Sequence, residues 1–129
     1  EGPKREEKAE VSVEPRSEEE IGGVHVFVGQ AVGVDADALL EESDRIKQAR
    51  TPAAVVLGAT EDGRVHLVAN FDRSLEGRID AVAVIKEAAA EVGGGGGGRP
   101  TMARAGGRDP AKLGDALAKA EEALRRALA

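Results

Sequence analysis

The sequence predicts an α/β (α+β) fold: a small mixed β-sheet with helices packed on it, in the order β-α-β-β-α-(glycine loop or short strand)-α. Three observations predict it. Residues 24–31 (VHVFVGQA) are rich in β-branched side chains and bounded by glycine, which is the composition of a strand. Residues 53–59 (AAVVLGA) form an unbroken apolar run, as expected of a strand covered on both faces. Between and after these runs apolar residues recur at helical spacing, which calls for helices laid on the sheet.

Taken in order, residues 1–20 carry eight acidic and four basic side chains, with Val11 and Val13 as the sizeable apolar residues. Such a stretch buries too little to order itself, so it is expected to be an acidic linker, disordered or a frayed helix end, ahead of a globular domain over residues 21–129. After the first strand, Asp35 is placed to cap a helix running to about Arg50, with Leu39, Leu40, Ile46 and Ala49 on its apolar side. Pro52 closes it. Glu61-Asp62-Gly63 then signals a hairpin turn, and residues 64–71 alternate. Val65, Leu67, Ala69 and Phe71 share one face, with His66 and Asn70 on the other. A second helix is expected over residues 80–92 from the spacing of Val82, Ile85, Ala89 and Val92. The last helix should start at an Asp109 cap with Pro110 in its first turn, burying Leu113, Leu117, Ala120, Leu124 and Leu128.

Composition narrows the function. The chain has 129 residues, 24 acidic against 18 basic side chains, and a formal net charge of −6. Without cysteine it has no disulfide, thiol chemistry or cysteine-ligated zinc, which fits a cytoplasmic setting. No apolar run approaches the roughly 20 residues of a membrane span, and no signal peptide is visible. Two phenylalanines and no tyrosine or tryptophan leave an aliphatic core and little with which to stack splayed bases. The chain starts with glutamate, which points to a piece of a longer protein.

Gly93 to Gly98 are six consecutive glycines, followed by Arg99 and Pro100. Each ordered glycine costs about 0.5–1 kcal/mol against alanine, so an ordered run needs a reason. Gly93 is explained as a left-handed helix cap. The remaining five read either as a loose linker or as an ordered loop that something approaches closely. The position inside one small domain favours the ordered loop, which could be required by helix–sheet packing or could present successive N–H groups to an anion as a nest. Charge supports the anion. Residues 93–108 hold Arg99, Arg104 and Arg108 and no acid, whereas residues 21–92 hold twelve acids and seven bases. The run is no Walker loop, since G-K-[ST] is missing and the helix precedes it. Catalytic patterns are absent. His25 and His66 sit on strands without metal-ligand spacing, and Ser12, Ser17, Ser43 and Ser74 lie in no nucleophile context.

VVLGATEDGRVHLVA (residues 55–69) followed by LEGRIDAVAVIKEAAAEVGGGGGGRPTMARAGGRDPAKLGDAL (residues 75–117) resembles the C-terminal domain of alanyl-tRNA synthetases, the C-Ala region, within the wider DHHA1 family. The resemblance runs from residue 22 to the end, and GGGGGGRP followed by M-A-x-A-G-G-x-D-P is its specific string. It implies a non-catalytic domain that grips the elbow of alanine tRNA and supports aminoacylation and editing. Thr101 stands where family members usually have an acid, and Arg104 where they often have glutamine, so this loop is more positive. Val82-Ala83 replaces a small-acidic pair, while Lys86 matches a commonly basic position.

Together, the pattern and the resemblance nominate Gly94, Gly95, Gly96, Gly97, Gly98, Arg99, Arg104, Arg108, Lys86 and Lys112 as the nucleic-acid-binding set. The resemblance implies no cofactor in this chain; ATP, magnesium and zinc would serve other domains of a parent ligase. Partners would be tRNA and those domains, with no membrane and a monomeric isolated domain. Two other roles compete. DHHA1 relatives in phosphoesterases recognise short nucleotides beside a metal-binding Asp-His-His domain, but there the glycine loop is typically followed by histidine. C-Ala regions also self-associate, through a long helical segment that this chain lacks.

Overall fold

Gly22-Gly23 and Asp62-Gly63 turn the chain between successive strands, as the computed structural model, which describes residues 12–129, shows. Strands β1 (Glu14–Ile21), β2 (Val24–Val32), β3 (Ala53–Glu61), β4 (Arg64–Phe71), β5 (Gly95–Arg99) and β6 (Met102–Gly107) form one sheet in the order β1-β2-β3-β4-β6-β5. β2 and β3 are parallel, joined by helix α1 (Ala36–Ala49) as a parallel pair requires; the other neighbours are antiparallel. Helices α2 (Ala81–Glu91) and α3 (Leu113–Leu128) complete the domain.

Caps set the helix starts. The Asp35 carboxylate accepts the Ala38 N–H at 2.8 Å, and Asp80 accepts that of Val82 at 3.0 Å, each satisfying an orphan donor of a first turn. At the end of α2, Gly93 takes the left-handed conformation (φ +66°) expected of it. α3 starts differently from the sequence expectation. Pro110–Lys112 is a 3-10 turn, α3 begins at Leu113, and the Asp109 side chain makes no capping hydrogen bond.

The two faces of the sheet carry separate apolar clusters. Val65, Leu67, Ala69 and Phe71 of β4 pack with Val84, Ile85 and Ala89 of α2 and Leu117, Ala120 and Leu124 of α3. Phe27, Ala31, Val55, Leu57 and Val68 pack on the opposite face under Leu39 of α1. β3 is buried on both sides from Ala53 to Ala59, as its continuous apolar run required.

The acidic lead segment is corrected where it is described. Residues 14–20 are not a linker or a helix end: they belong to β1, turned onto β2 through Gly22 (φ +57°) and Gly23 (φ +83°). Main-chain pairing needs no apolar side chain, so composition hid the strand. Ion pairs Arg16–Glu121 at 3.1 Å and Glu19–Arg125 at 3.0 Å then tie β1 to α3. The part of the expected linker over residues 1–11 lies outside the described residues.

Candidate nucleic-acid interface

The glycine run is an edge strand. Gly95–Arg99 pairs antiparallel with Met102–Gly107, the chain reversing at Pro100-Thr101. The nest expectation is thereby corrected: in a strand successive N–H groups alternate in direction, whereas a nest needs them to converge. The hairpin is pinned at both ends to α2, with the Ala81 N–H on Pro100 O at 2.7 Å and the Gly94 N–H on Ala89 O at 3.0 Å.

Strand geometry also separates the glycines. A Cβ on Gly96 would overlap the Arg104 carbonyl and sit 2.5 Å from the Ala105 Cα. At Gly94 it would meet the Gly106 carbonyl and lie 2.6 Å from the Gly107 Cα; at Gly98 it would meet the Met102 carbonyl and lie 2.7 Å from the Ala103 Cα. The backbone that approaches these three is the neighbouring strand itself. Gly95 and Gly97 differ, since a Cβ there would find nothing within 4 Å.

Register puts Gly95, Gly97 and Arg99 on the same face as Gly106, Arg104 and Met102, which continues the face of His66, Val68 and Asn70 on β4. This is the α1 side of the sheet. α1 packs across β3 and β4, and β5 beyond them is exposed along its whole length. The structure therefore brings together Arg99, Arg104 and the bare main chain of β5 on one open surface. Arg104 is held there by Asp37 of α1 at 3.2 Å. Among the described residues no carboxylate lies within salt-bridge distance of Arg99.

The rest of the nominated set is scattered. Arg108 follows β6 at the end away from the hairpin tip, its N–H on Val92 O at 2.9 Å. Lys86 is exposed on α2, which covers the opposite face of the sheet. Lys112 lies in the turn that opens α3. These three do not share the Arg99–Arg104 surface.

Beneath the hairpin tip is a cleft of about 810 Å³, lined in part by Lys47, Asn70, Arg73, Arg99, Pro100 and Met102. A polar network centred on the buried Asn70 forms its floor. Asn70, 2% exposed, donates to Ser43 Oγ at 2.9 Å and Asp44 Oδ1 at 2.8 Å and accepts from Lys47 Nζ at 3.0 Å. Asp72 caps the short turn Arg73–Leu75, accepting from the Ser74 N–H at 3.0 Å and hydroxyl at 2.5 Å. Those two bonds, the hydroxyl's first, hold its carboxyl below the ordinary 3.8 against the opposing effect of burial, and the charges of Lys47 and Arg73 add smaller contributions in the same direction. Sequence reasoning missed Lys47, Asn70 and Arg73. The Asp-x-Ser turn after β4 was a visible signal for Arg73, whereas Lys47 and Asn70 meet only through the packing of α1 on β4.

The histidines are structural in position. His25 Nε2 lies 2.8 Å from Glu18 and His66 Nε2 3.0 Å from Glu61. Among the described residues no cluster of three histidine or carboxylate side chains could hold a metal ion, and no helix is long and apolar enough to cross a membrane.

Comparison with known proteins decides the family, since the DHHA1 domain pattern matches residues 23–126. The chain belongs to the DHHA1 domain family. An alanine–tRNA ligase of Trichodesmium erythraeum is 46% identical over 107 residues, which cover 82% of this chain and 12% of the relative. One from Hydrogenovibrio crunogenus is 42% identical over 103 residues, covering 80% of this chain and 12% of the relative. The chain thus spans about an eighth of the length of these relatives. Among solved structures, the crystal structure of the C-Ala domain of Aquifex aeolicus alanyl-tRNA synthetase superposes with a TM-score of 0.76 at 26% identity, covering 84% of this chain and 98% of that one. That likeness accounts for the mixed sheet and its helices, and it extends the C-terminal-domain resemblance of the sequence to three dimensions.

Proposed function

We propose that this DHHA1 domain is a non-catalytic tRNA-binding module of an alanyl-tRNA synthetase, gripping the elbow of alanine tRNA in support of aminoacylation and editing. The observation that carries the reading is the open face of the β5–β6 hairpin. There two arginines flank main chain stripped of side chains, on a domain that is otherwise acidic. Arginine contacts to phosphate position a nucleic acid without reading its sequence, so the reading is one of shape recognition of a folded RNA. The diagonal placement of Arg99 and Arg104 across the hairpin puts their Cα atoms about 7–8 Å apart, close enough to engage neighbouring phosphates of one strand.

RNA binding of this kind needs no metal or cofactor from the domain, and the other partners of the reading are the remaining domains of the parent ligase, in the cytoplasm. Arg99 and Arg104 are its principal contacts, with Gly95 and Gly97 allowing close approach. Gly94, Gly96 and Gly98 act through the hairpin they permit. Arg108, Lys86 and Lys112 contribute a diffuse positive margin. Filter binding of alanine tRNA tests this: Arg99→Ala/Arg104→Ala should weaken binding about tenfold or more, since hydrogen bonds to charged groups are each worth about 1.5–3 kcal/mol. Equal affinity of the variant and the parent chain would exclude these arginines as the contact.

A further inference from the structure

We infer that the RNA contact does not end at the hairpin face but turns into the cleft beneath its tip, where Arg73 and Lys47 receive a further phosphate of the same strand. This rests on the tRNA-binding reading and extends it to residues outside the nominated loop.

Arg99 makes the two surfaces continuous. It lies on the open face of β5 by register with Met102, and it also lines the cleft with Arg73 and Lys47. A strand of RNA held at Arg104 and Arg99 is therefore led to the cleft mouth. The cleft, at about 810 Å³, is large enough for a sugar and its phosphate, and Leu40, Pro100 and Met102 give it an apolar wall.

Its charges are sorted for an anion even though Asp44, Asp72 and Glu76 also line it. Asp44 is occupied by the Asn70 amide at 2.8 Å, and Asp72 by both donors of Ser74. Lys47 points its ammonium at the neutral Asn70 oxygen at 3.0 Å, and Asp44 is 3.9 Å away. Among the described residues Arg73 and Arg99 have no carboxylate within salt-bridge distance. Glu76 is exposed and all three carboxylates keep their charge, so they offset the three cations; what the cleft offers an anion is the pair of guanidiniums, Arg73 and Arg99, that no carboxylate engages.

Both new contacts are also held in place. Asp72 fixes the turn that carries Arg73, and its backbone N–H is bound to Ala53 O at 2.8 Å. Asn70, buried in the floor, fixes Lys47. Asn70 and Asp72 are thus positioning residues, and Arg73 and Lys47 are binding residues.

The salt dependence of alanine-tRNA binding to this chain tests the inference. Each phosphate contact contributes about 0.7–0.9 to the slope of log affinity on log salt. Arg73 and Lys47 share one phosphate, so Arg73→Ala/Lys47→Ala should lower the slope by about one contact and Arg73→Ala by part of it, with Arg73→Lys restoring most of the loss. Arg64→Ala, on an exposed arginine at the start of β4, should leave the slope unchanged. If the slope falls for Arg99→Ala/Arg104→Ala but is untouched by Arg73→Ala and by the double variant, the cleft contact is wrong and the hairpin reading stands. If the hairpin variant itself leaves binding unchanged, the hairpin contact fails and the path from it into the cleft with it; if the parent chain binds no alanine tRNA, the tRNA-binding reading fails.

Discussion

Replacing Asn70 by alanine removes the buried side chain through which, among the described residues, α1 and β4 are joined by polar contacts. Three hydrogen bonds go: one to the neutral Ser43 hydroxyl, and one each to Asp44 and Lys47. A neutral bond contributes about 1 kcal/mol and a bond to a charged partner about 1.5–3. Asp44 is half exposed and Lys47 about a quarter, so water recovers part of the charged contribution. The net loss should be about 2–4 kcal/mol. For a domain of this size that corresponds to a melting temperature lower by about 10 °C. Urea and thermal unfolding of the variant and parent chain measure it. A loss under about 0.5 kcal/mol would show that the network does not form in solution, and would remove the support argued for Lys47 in the cleft.

Other outcomes follow from the same geometry. Asp37→Asn frees Arg104 from its partner at 3.2 Å; an exposed pair of this kind is worth about 0.2–1 kcal/mol, so tRNA affinity should rise by up to about fivefold at low salt, and filter binding would detect a fall instead. Gly96→Ala should destabilise the fold by about 1–3 kcal/mol through overlap with β6, while Gly97→Ala should be neutral or slightly stabilising; equal unfolding midpoints for the two would contradict the close approach of the strands. Asp72 has a folded pKa depressed below 3.8, so its stabilising effect is present above that value and lost as pH falls through the lower folded value. The stability gap between the parent chain and Asp72→Ala should therefore be constant near neutrality and close in acid, as urea titrations at several pH values would show.

Much of the architecture could be read from side chains that pack. β3 announced itself by seven consecutive apolar residues, β4 by clean alternation, and α3 by a leucine and alanine stripe whose predicted members Leu113, Leu117, Ala120, Leu124 and Leu128 are all buried. Two strands escaped for the opposite reason. β1 is held by main-chain pairing and ion pairs, and β5 by main-chain pairing alone, so neither carries an apolar pattern. The glycines of β5 were rightly taken as a sign of close approach, but the approaching body proved to be β6 for Gly94, Gly96 and Gly98. Proximity in sequence also overstated the site. Arg99 and Arg104 meet because antiparallel pairing sets them diagonally on one face, while Lys86 lies on a helix that covers the other. Lys47 and Arg73 were invisible as a pair because only the docking of α1 beside the hairpin tip brings them to one cleft.

The central claim is that the open face of β5 and β6 holds RNA through Arg99 and Arg104. The most direct measurement is the salt slope of alanine-tRNA binding for the parent chain and for Arg99→Ala/Arg104→Ala. Loss of two phosphate contacts predicts a slope shallower by about 1.4–1.8, with weaker binding at every salt concentration. Superimposable salt titrations for the two proteins would contradict it.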